Sequence, residues 1–150
     1  MPDRRHAFGA FVLLLLAGPA FAQQPSVAGR IKLVSGSAFI VRASGAVPAQ
    51  AGQVVHQADT LRTGADGRLG IMLKDDTRIS LGPSSEVSLS RYVYNPTEGA
   101  FAFVLRVTRG IAAYVSGRIA KLAPDSIRLE TPAAIVGVRG TALAIRVLPK

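Results

Sequence analysis

An alternation of apolar and polar residues at period two runs through most of this chain, interrupted about every ten residues by Gly, Pro, Asp or Ser. Successive side chains of a β-strand point to opposite faces, so this pattern is typical of many short strands that each bury one face. No helical period is visible after residue 28. The pattern predicts an all-β domain, built either as a twisted, solenoid-like stack of short strands or as a β-sandwich.

The alternation is regular enough to predict one turn in detail. Leu69, Ile71 and Leu73 share one face of a predicted strand, and the pattern resumes after residues 74–77. Asp76 is expected to take the left-handed backbone conformation in this turn, because Asp tolerates a positive φ. We therefore predict a tight hairpin here.

Two further turns are predicted from glycine positions. Ser35-Gly36 is expected to join the two strands of a first hairpin-like unit. Arg109-Gly110 is expected to turn one apolar strand into another, whose apolar residues are Ile111, Ala113 and Val115. This second pair is the most apolar part of the chain after the amino-terminal segment.

The amino terminus has the three parts of a cleavable export signal. Arg4 and Arg5 form a positive region, residues 7–16 are apolar, and Ala20-Phe21-Ala22 is a small-residue cleavage site. An apolar run of about ten residues is too short for a membrane-spanning helix, which needs roughly 20. Arg4-Arg5 with Phe8 leaves both the general secretory route and the twin-arginine route open.

The predicted signal defines the domain boundaries and the compartment. We expect residues 1–22 to form a signal-peptide helix cleaved after Ala22, residues 23–28 to be a flexible lead-in, and residues 29–150 to form one domain. The mature protein is then periplasmic or secreted and does not span a membrane. Because the chain has no cysteine, it has no lipoprotein attachment point and no disulfide, so packing and backbone pairing must stabilise the domain.

The charge balance favours anionic partners. The formal net charge is +9, and removal of residues 1–22 takes two of the 18 basic residues and one of the nine acidic ones, which leaves +8. Five arginines occupy polar alternates of predicted strands: Arg68, Arg78, Arg106, Arg128 and Arg146. They form either a solvated surface that protects sheet edges or one basic face that contacts an anionic partner, and the strand spacing does not decide between these. Nucleic acid is disfavoured as a partner, because export separates the protein from it and because the absence of tryptophan leaves few aromatic side chains for base stacking.

No pattern of residues predicts catalysis, a metal site or a cofactor site. His56 is the only histidine of the expected mature chain, and without a nucleophile motif nearby it is interpreted as a lone surface imidazole. Asp75 and Asp76 do not form a catalytic pair of carboxylates, since adjacent residues of an extended chain point to opposite faces. They are interpreted as turn formers. Residues 137–140 contain two glycines but lack the Lys-Ser/Thr that a phosphate loop needs. We expect a protein that is not an enzyme and has no cofactor.

Three segments of the chain resemble the FecR domain family. Residues 63–81 are similar to the family's Thr-Gly turn, strand, Asp-Gly-Ser/Thr turn and strand, with Asp76 in place of the usual glycine. Gly52 followed by residues 59–61 is similar to the approach to that turn. Residues 131–134 followed by Gly137-Val138-Arg139-Gly140-Thr141 form the most specific match. The resemblance covers roughly residues 29–147 and implies an all-β, twisted, solenoid-like fold.

The resemblance also implies a function. The family is named after a periplasmic regulator of ferric-citrate signalling, and its signalling members carry a cytoplasmic sigma-regulating segment and a transmembrane helix before this domain. Neither is recognised here, so we expect a bare exported domain that signal cleavage leaves without a physical link to a cytoplasmic sigma factor. The expected function is a non-enzymatic binding or interaction module, linked to envelope sensing or signalling.

Two kinds of partner are expected. The first is an envelope protein, and the alternative is an anionic envelope polymer, such as lipopolysaccharide, bound through a basic strand face. Gly137, Arg139, Gly140 and Thr141 form the candidate partner-binding or structural motif. Arg139 is predicted either to lock the final turn by hydrogen bonds, which is the favoured role, or to project toward a partner.

Overall fold

The structure is a computed structural model and describes residues 18–20 and 25–149. Apart from residues 18–20, the predicted signal peptide, with Arg4-Arg5 and the cleavage site after Ala22, lies outside the described residues. No helix within the described ranges is long and apolar enough to cross a bilayer. The described strands are β1 (Val27–Ser35), β2 (Ala38–Arg42), β3 (Gly45–Pro48), β4 (Val54–His56), β5 (Thr60–Thr63), β6 (Arg68–Leu73), β7 (Arg78–Leu81), β8 (Glu86–Asn95), β9 (Ala100–Val115), β10 (Ile127–Glu130), β11 (Ile135–Gly137) and β12 (Ala142–Val147).

The prediction of an all-β fold is confirmed. The strands form one curled, mostly antiparallel half-barrel sheet in the order β3-β2-β5-β8-β9-β7-β6-β1-β4, with β10 and β12 also paired to β9 and β11 paired to β10. The pairing of β9 with β10 is parallel. Between β9 and β10 lie a short helix, α1 (Arg118–Leu122), and a turn of 3₁₀ helix (Pro124–Ser126). A helix of five residues is little more than one turn, so the sequence shows no helical period there.

The long strand β9 divides the sheet into two halves. The front half consists of β4, β1, β6, β7, residues 110–115 of β9, and β12. The back half consists of β3, β2, β5, β8, residues 100–109 of β9, β10 and β11. One hydrophobic cluster is formed by the inward side chains of both halves. Complete burial of each large aliphatic side chain in it contributes roughly 1.5–3 kcal/mol.

The tight turn predicted at residues 74–77 is confirmed. β6 and β7 pair as an antiparallel hairpin in which Ile71 lies opposite Ile79. Asp76 has a φ of 68°, in the left-handed region that the sequence predicted. The predicted hairpin at residues 35–36 is wrong, because β1 pairs with β4 and β6 in the front half and β2 pairs with β3 and β5 in the back half. The chain crosses between the halves at this point.

The predicted turn at Arg109-Gly110 is also wrong, since β9 runs through both residues without reversing. Gly110 has a φ of +81°, and a Cβ there would lie 2.2 Å from the Ser85 hydroxyl oxygen, so only glycine fits the bend. A shift of register opposite Glu86 reverses the alternation along β9. Val107 is buried before the bend and Tyr114 after it. The odd-numbered apolar residues 111–115 therefore point away from the core.

Candidate functional site

The outer face of the front half brings several arginines into two rows. Arg30 on β1 lies opposite Met72 on β6, which lies opposite Arg78 on β7, so the two arginines share a row across the strands. The second row contains Arg68 on β6 and Arg146 on β12, because Leu69 pairs with Leu81, Leu81 with Ala112 and Arg146 with Ile111. Arg30, Arg68, Arg78 and Arg146 are all exposed.

Small residues separate the two arginine rows. Gly70, Ser80, Ala113 and Ala144 are aligned by the register across four neighbouring strands. The arginine rows lie four residues apart along a strand, which corresponds to about 13 Å at roughly 3.3 Å per residue. The result is a shallow trough with a floor of small side chains across β6, β7, β9 and β12, which ends at β1, where Leu33 lies opposite Gly70 and is 59% exposed. Two arginines lie along each side of it. We call it the front trough.

No acidic residue lies in any strand of the front half. Lys32 adds a further exposed cation on β1. Among the described residues, none of the cations Arg30, Lys32, Arg68, Arg78 and Arg146 forms an ion pair. The outer face of the front half therefore carries uncompensated positive charge.

Most arginines of the back half are paired with acids. Arg106 Nη2 lies 3.0 Å from Glu130 Oε2, and Glu86 Oε2 lies 3.0 Å from Arg62 Nε and 3.7 Å from Arg109 Nη2. Arg128 is exposed and forms no ion pair among the described residues.

The five candidate arginines of the sequence are thus divided between the halves. Arg68, Arg78 and Arg146 lie on the outer face of the front half, whereas Arg106 and Arg128 lie on that of the back half. The structure does not bring all five together in one row.

A buried carboxyl group fixes α1 to the hairpin of β6 and β7. Asp75 is fully buried and accepts hydrogen bonds from the Tyr92 hydroxyl at 2.8 Å, the Thr77 hydroxyl at 2.6 Å and the Ile119 backbone N–H at 3.1 Å. Gly117 lies so close that an added Cβ would be 2.3 Å from the Asp75 carbonyl oxygen. Asp75 was predicted only as a turn former, and its structural role was missed.

Two tyrosines next to Asp75 are shielded from water. Burial, reinforced by the charge of Asp75, raises the pKa of Tyr92 far above its usual range. Burial, with a smaller contribution from Asp75, raises the pKa of Tyr114 to about 12. The Tyr114 hydroxyl has no hydrogen-bond partner among the described residues. Both tyrosines stay protonated near neutral pH; Tyr92 contributes packing and a hydrogen bond to Asp75, whereas Tyr114 contributes packing.

A second polar cluster, at the start of β5, joins β2 of the back half to β4 of the front half. Arg42 donates from Nε and Nη2 to the two carboxyl oxygens of Asp59, each at 2.9 Å, and Asp59 is 4% exposed. The Asp59 contact raises the pKa of Arg42. His56 Nδ1 lies 3.3 Å from Arg42 Nη2 and 3.8 Å from Asp59 Oδ2, so its imidazole belongs to this cluster, and its interpretation as a lone surface residue is wrong. An open pocket of about 610 Å³ adjoins the three side chains.

The motif of residues 137–141 forms the loop between β11 and β12. Its anchor is Val138, which is 8% exposed, while Gly137, Gly140 and Thr141 lie at the surface. The Arg139 side chain is 89% exposed, and its only ion pair among the described residues is with Asp125, at 3.8 Å. The loop leaves Arg139 in solvent.

Within residues 18–20 and 25–149, no three His, Asp or Glu side chains are grouped so that they could hold a metal ion. The described residues offer four kinds of exposed feature: the outer faces of the sheet, its open edges, the pocket beside Arg42, His56 and Asp59, and the loop that contains Arg139.

Comparison with known protein families identifies the family of this chain. Residues 59–149, more than half of the chain, match the family described as FecR protein. No curated protein and no solved structure matches. The match spans all strands from β5 to β12 and includes both the hairpin of β6 and β7 and the loop of residues 137–141, which carried the resemblance in the sequence. The chain belongs to the FecR family.

Proposed function

We propose that this protein is a non-enzymatic interaction module of the cell envelope, periplasmic or secreted, that contacts an envelope protein by strand addition. The FecR family suggests a module for signalling or sensing. The observation that carries the proposal is the open edge of β12, which pairs only with β9 among the described strands. An extended segment of a partner can add to such an edge through backbone hydrogen bonds.

The edge of β12 is suited to this role. It has six residues and contains neither proline nor an acidic residue, whereas β4 has three residues and β3 ends in Pro48. The Ser116 N–H donates to the Thr141 carbonyl, so the antiparallel alternation directs the N–H groups of Ala142, Ala144 and Arg146 away from β9. These donors are available to an added strand.

Replacing Ala144 by Pro tests the proposal, because it removes one outward donor and leaves the bonds to β9 in place. We expect the Ala144→Pro protein to lose an envelope partner that the wild type captures by cross-linking, with Ala144→Ser as the matched control. Both variants should keep the wild-type circular dichroism spectrum. Failure of the wild type to capture any specific protein, or equal capture by Ala144→Pro, would contradict strand addition.

A second candidate function is binding of an anionic envelope polymer, such as lipopolysaccharide or a cell-wall polymer. The observation that favours it is the outer face of the front half, which has exposed cations and no acid in its strands. Such binding weakens as salt screens the charges. A titration from low to moderate ionic strength tests it, and an absent or salt-insensitive interaction would reject it.

A further inference from the structure

We infer that the front trough is a binding site for a single extended polyanion chain, one whose repeating units carry phosphate or carboxylate groups. The inference rests on the second candidate function and assigns it a place, a direction and a ligand class. The polymer lies across the strands, between the row of Arg30 and Arg78 and the row of Arg68 and Arg146.

The dimensions of the trough suit one chain. Its floor crosses four neighbouring strands, from β6 to β12, and three spacings of about 4.8 Å give a length of about 14 Å. Its width between the two arginine rows is about 13 Å, measured along the backbone. Because Gly70, Ser80, Ala113 and Ala144 are small, a narrow chain can reach the floor and contact both rows at once.

The chemistry of the trough selects for anions. Arginine presents a planar set of donors that bonds phosphate and carboxylate groups in pairs, and these four arginines have no acid to occupy them among the described residues. No aromatic side chain lines the trough, because Tyr114, the only aromatic residue in the front-half strands, points into the core. Because the trough offers no aromatic ring on which a base could stack, its affinity should depend on the spacing of the ligand's charges. Recognition of a nucleic acid through its bases is therefore disfavoured.

The shape disfavours other anionic partners. A stable complex with a folded acidic protein buries roughly 800 Å² on each side over a matching surface, and a trough one residue row wide offers contact mainly along its sides. A flat anionic membrane meets the arginine rows without reaching the floor. Contact with the floor therefore distinguishes a narrow polymer from a folded acidic protein and from a membrane. A test of the proposal must change the floor as well as the arginines.

The first experiment measures affinity for two soluble probes, short-chain inorganic polyphosphate and polygalacturonate, with neutral dextran as a blank. The double variant R78S/R146S removes one arginine from each row, and the matched control R91S/R128S removes two unpaired arginines from the outer face of the back half. Both have the same net charge. We expect at least a tenfold loss for R78S/R146S and less than about a twofold loss for the control.

Salt dependence provides an independent readout. The slope of log affinity against log salt, between about 50 and about 200 mM, should decrease in magnitude by about 1.5 in R78S/R146S, because two fewer counterions are released. The control should keep the wild-type slope. The two probes also distinguish phosphate from carboxylate as the preferred group.

The second experiment fills the trough and changes no charge. We expect Ser80→Tyr to weaken binding about fivefold or more by occupying the floor, and Ser80→Ala to leave it unchanged; melting curves show whether each variant is folded. Binding that survives Ser80→Tyr rejects the trough, and equal losses in the two double variants reject the front half as the site. Stronger binding to vesicles containing phosphatidylglycerol than to either polymer assigns the face to a membrane. If no polymer binds the wild type at low salt, the second candidate function itself fails.

Discussion

Both halves of the curled sheet expose arginines, and they differ in what surrounds them. In the back half, Arg62, Arg106 and Arg109 each lie within 4 Å of a glutamate, so a neighbouring carboxylate balances the positive charge of each of these arginines. In the front half, the strands contain no acid and the exposed arginines form no ion pair among the described residues, although Arg30 donates to the Gly52 carbonyl at 3.0 Å. Uncompensated charge of one sign costs stability through self-repulsion. The difference is what the proposed polyanion site on the front half requires, since only that half leaves all of its strand arginines without acids among the described residues.

The same contrast continues inside the protein. Asp59, beside the back half, is held by the guanidinium group of Arg42, whereas Asp75, beside the front half, is held by hydroxyl and backbone N–H donors that carry no charge. Ion pairs respond to salt, and hydrogen bonds from neutral donors respond much less. Four substitutions test whether this difference between the halves is real.

The largest effect is expected at Asp75. Asp75→Ala leaves the Tyr92 hydroxyl, the Thr77 hydroxyl and the Ile119 N–H buried without an acceptor, so it should lower the free energy of unfolding by about 3–5 kcal/mol. Urea denaturation measures this at low and high salt, and the loss should be the same in both. Asp76→Asn is the matched control, since Asn also tolerates a positive φ and the residue is exposed. A loss at Asp75 that shrinks strongly with salt would contradict the contrast.

The next effect is expected at Arg42. Arg42→Ala leaves the buried carboxyl group of Asp59 without its charged partner, and we expect a loss of about 2 kcal/mol, below the usual cost for buried pairs because Arg42 is about one third exposed. This loss should diminish with salt, unlike that of Asp75→Ala. Arg91→Ala, which removes an exposed arginine of the same half with no ion pair among the described residues, should change little. If the two arginine variants are equally stable, the Arg42–Asp59 pair is not an anchor.

A smaller effect is expected at Glu86, which serves two arginines. Glu86→Gln leaves Arg62 and Arg109 without their shared carboxylate, and we expect a loss of about 1 kcal/mol at low salt, since all three side chains are partly exposed. Thermal melts at increasing ionic strength should show the loss disappear. Glu98→Gln removes an exposed acid without an ion pair among the described residues and should leave the melting temperature unchanged.

The smallest effect has the opposite sign. Ser80→Glu places an acid in the front trough next to Arg78, and we expect a gain of about 0.3–0.5 kcal/mol at low salt. Ser80→Gln controls for side-chain size. Because the same acid occupies the trough, polymer binding should fall while stability rises. A variant that is less stable than Ser80→Gln would show that the front-half arginines do not repel one another.

Much of the strand content was predictable because alternation is local. Leu69, Ile71 and Leu73 are buried on one strand face, as predicted. The prediction failed at Gly110, since a register shift depends on β8 across the sheet, and at Ser35-Gly36, since a turn residue does not specify which strand follows as a partner.

The front trough could not be predicted, because its rows exist only after β6, β7, β9 and β12 are placed side by side. A signal for Asp75 was nevertheless present in the sequence. Burial alternates without interruption at every odd position from 69 to 81, including Asp75 and Thr77. Continuing the period through polar residues would have indicated that the Asp75 side chain faces inward, which its interpretation as a turn former did not specify.

The position of β9 has a consequence for how this protein reaches its native state. β7 and β8 each pair with β9, so neither half can be completed until residues 100–115 have joined the sheet. β8 and β9 are consecutive in the chain, but the pairing of β7 with β9 joins residues that are more than 30 apart, such as Ile79 and Tyr114. Such non-local pairing makes folding slow compared with that of helical domains. Until β9 pairs with them, β7 and β8 each leave an edge to which another chain can bind. A chain truncated before residue 100 should therefore aggregate. A chaperone that binds extended segments would bind the open edges of β7 and β8 first.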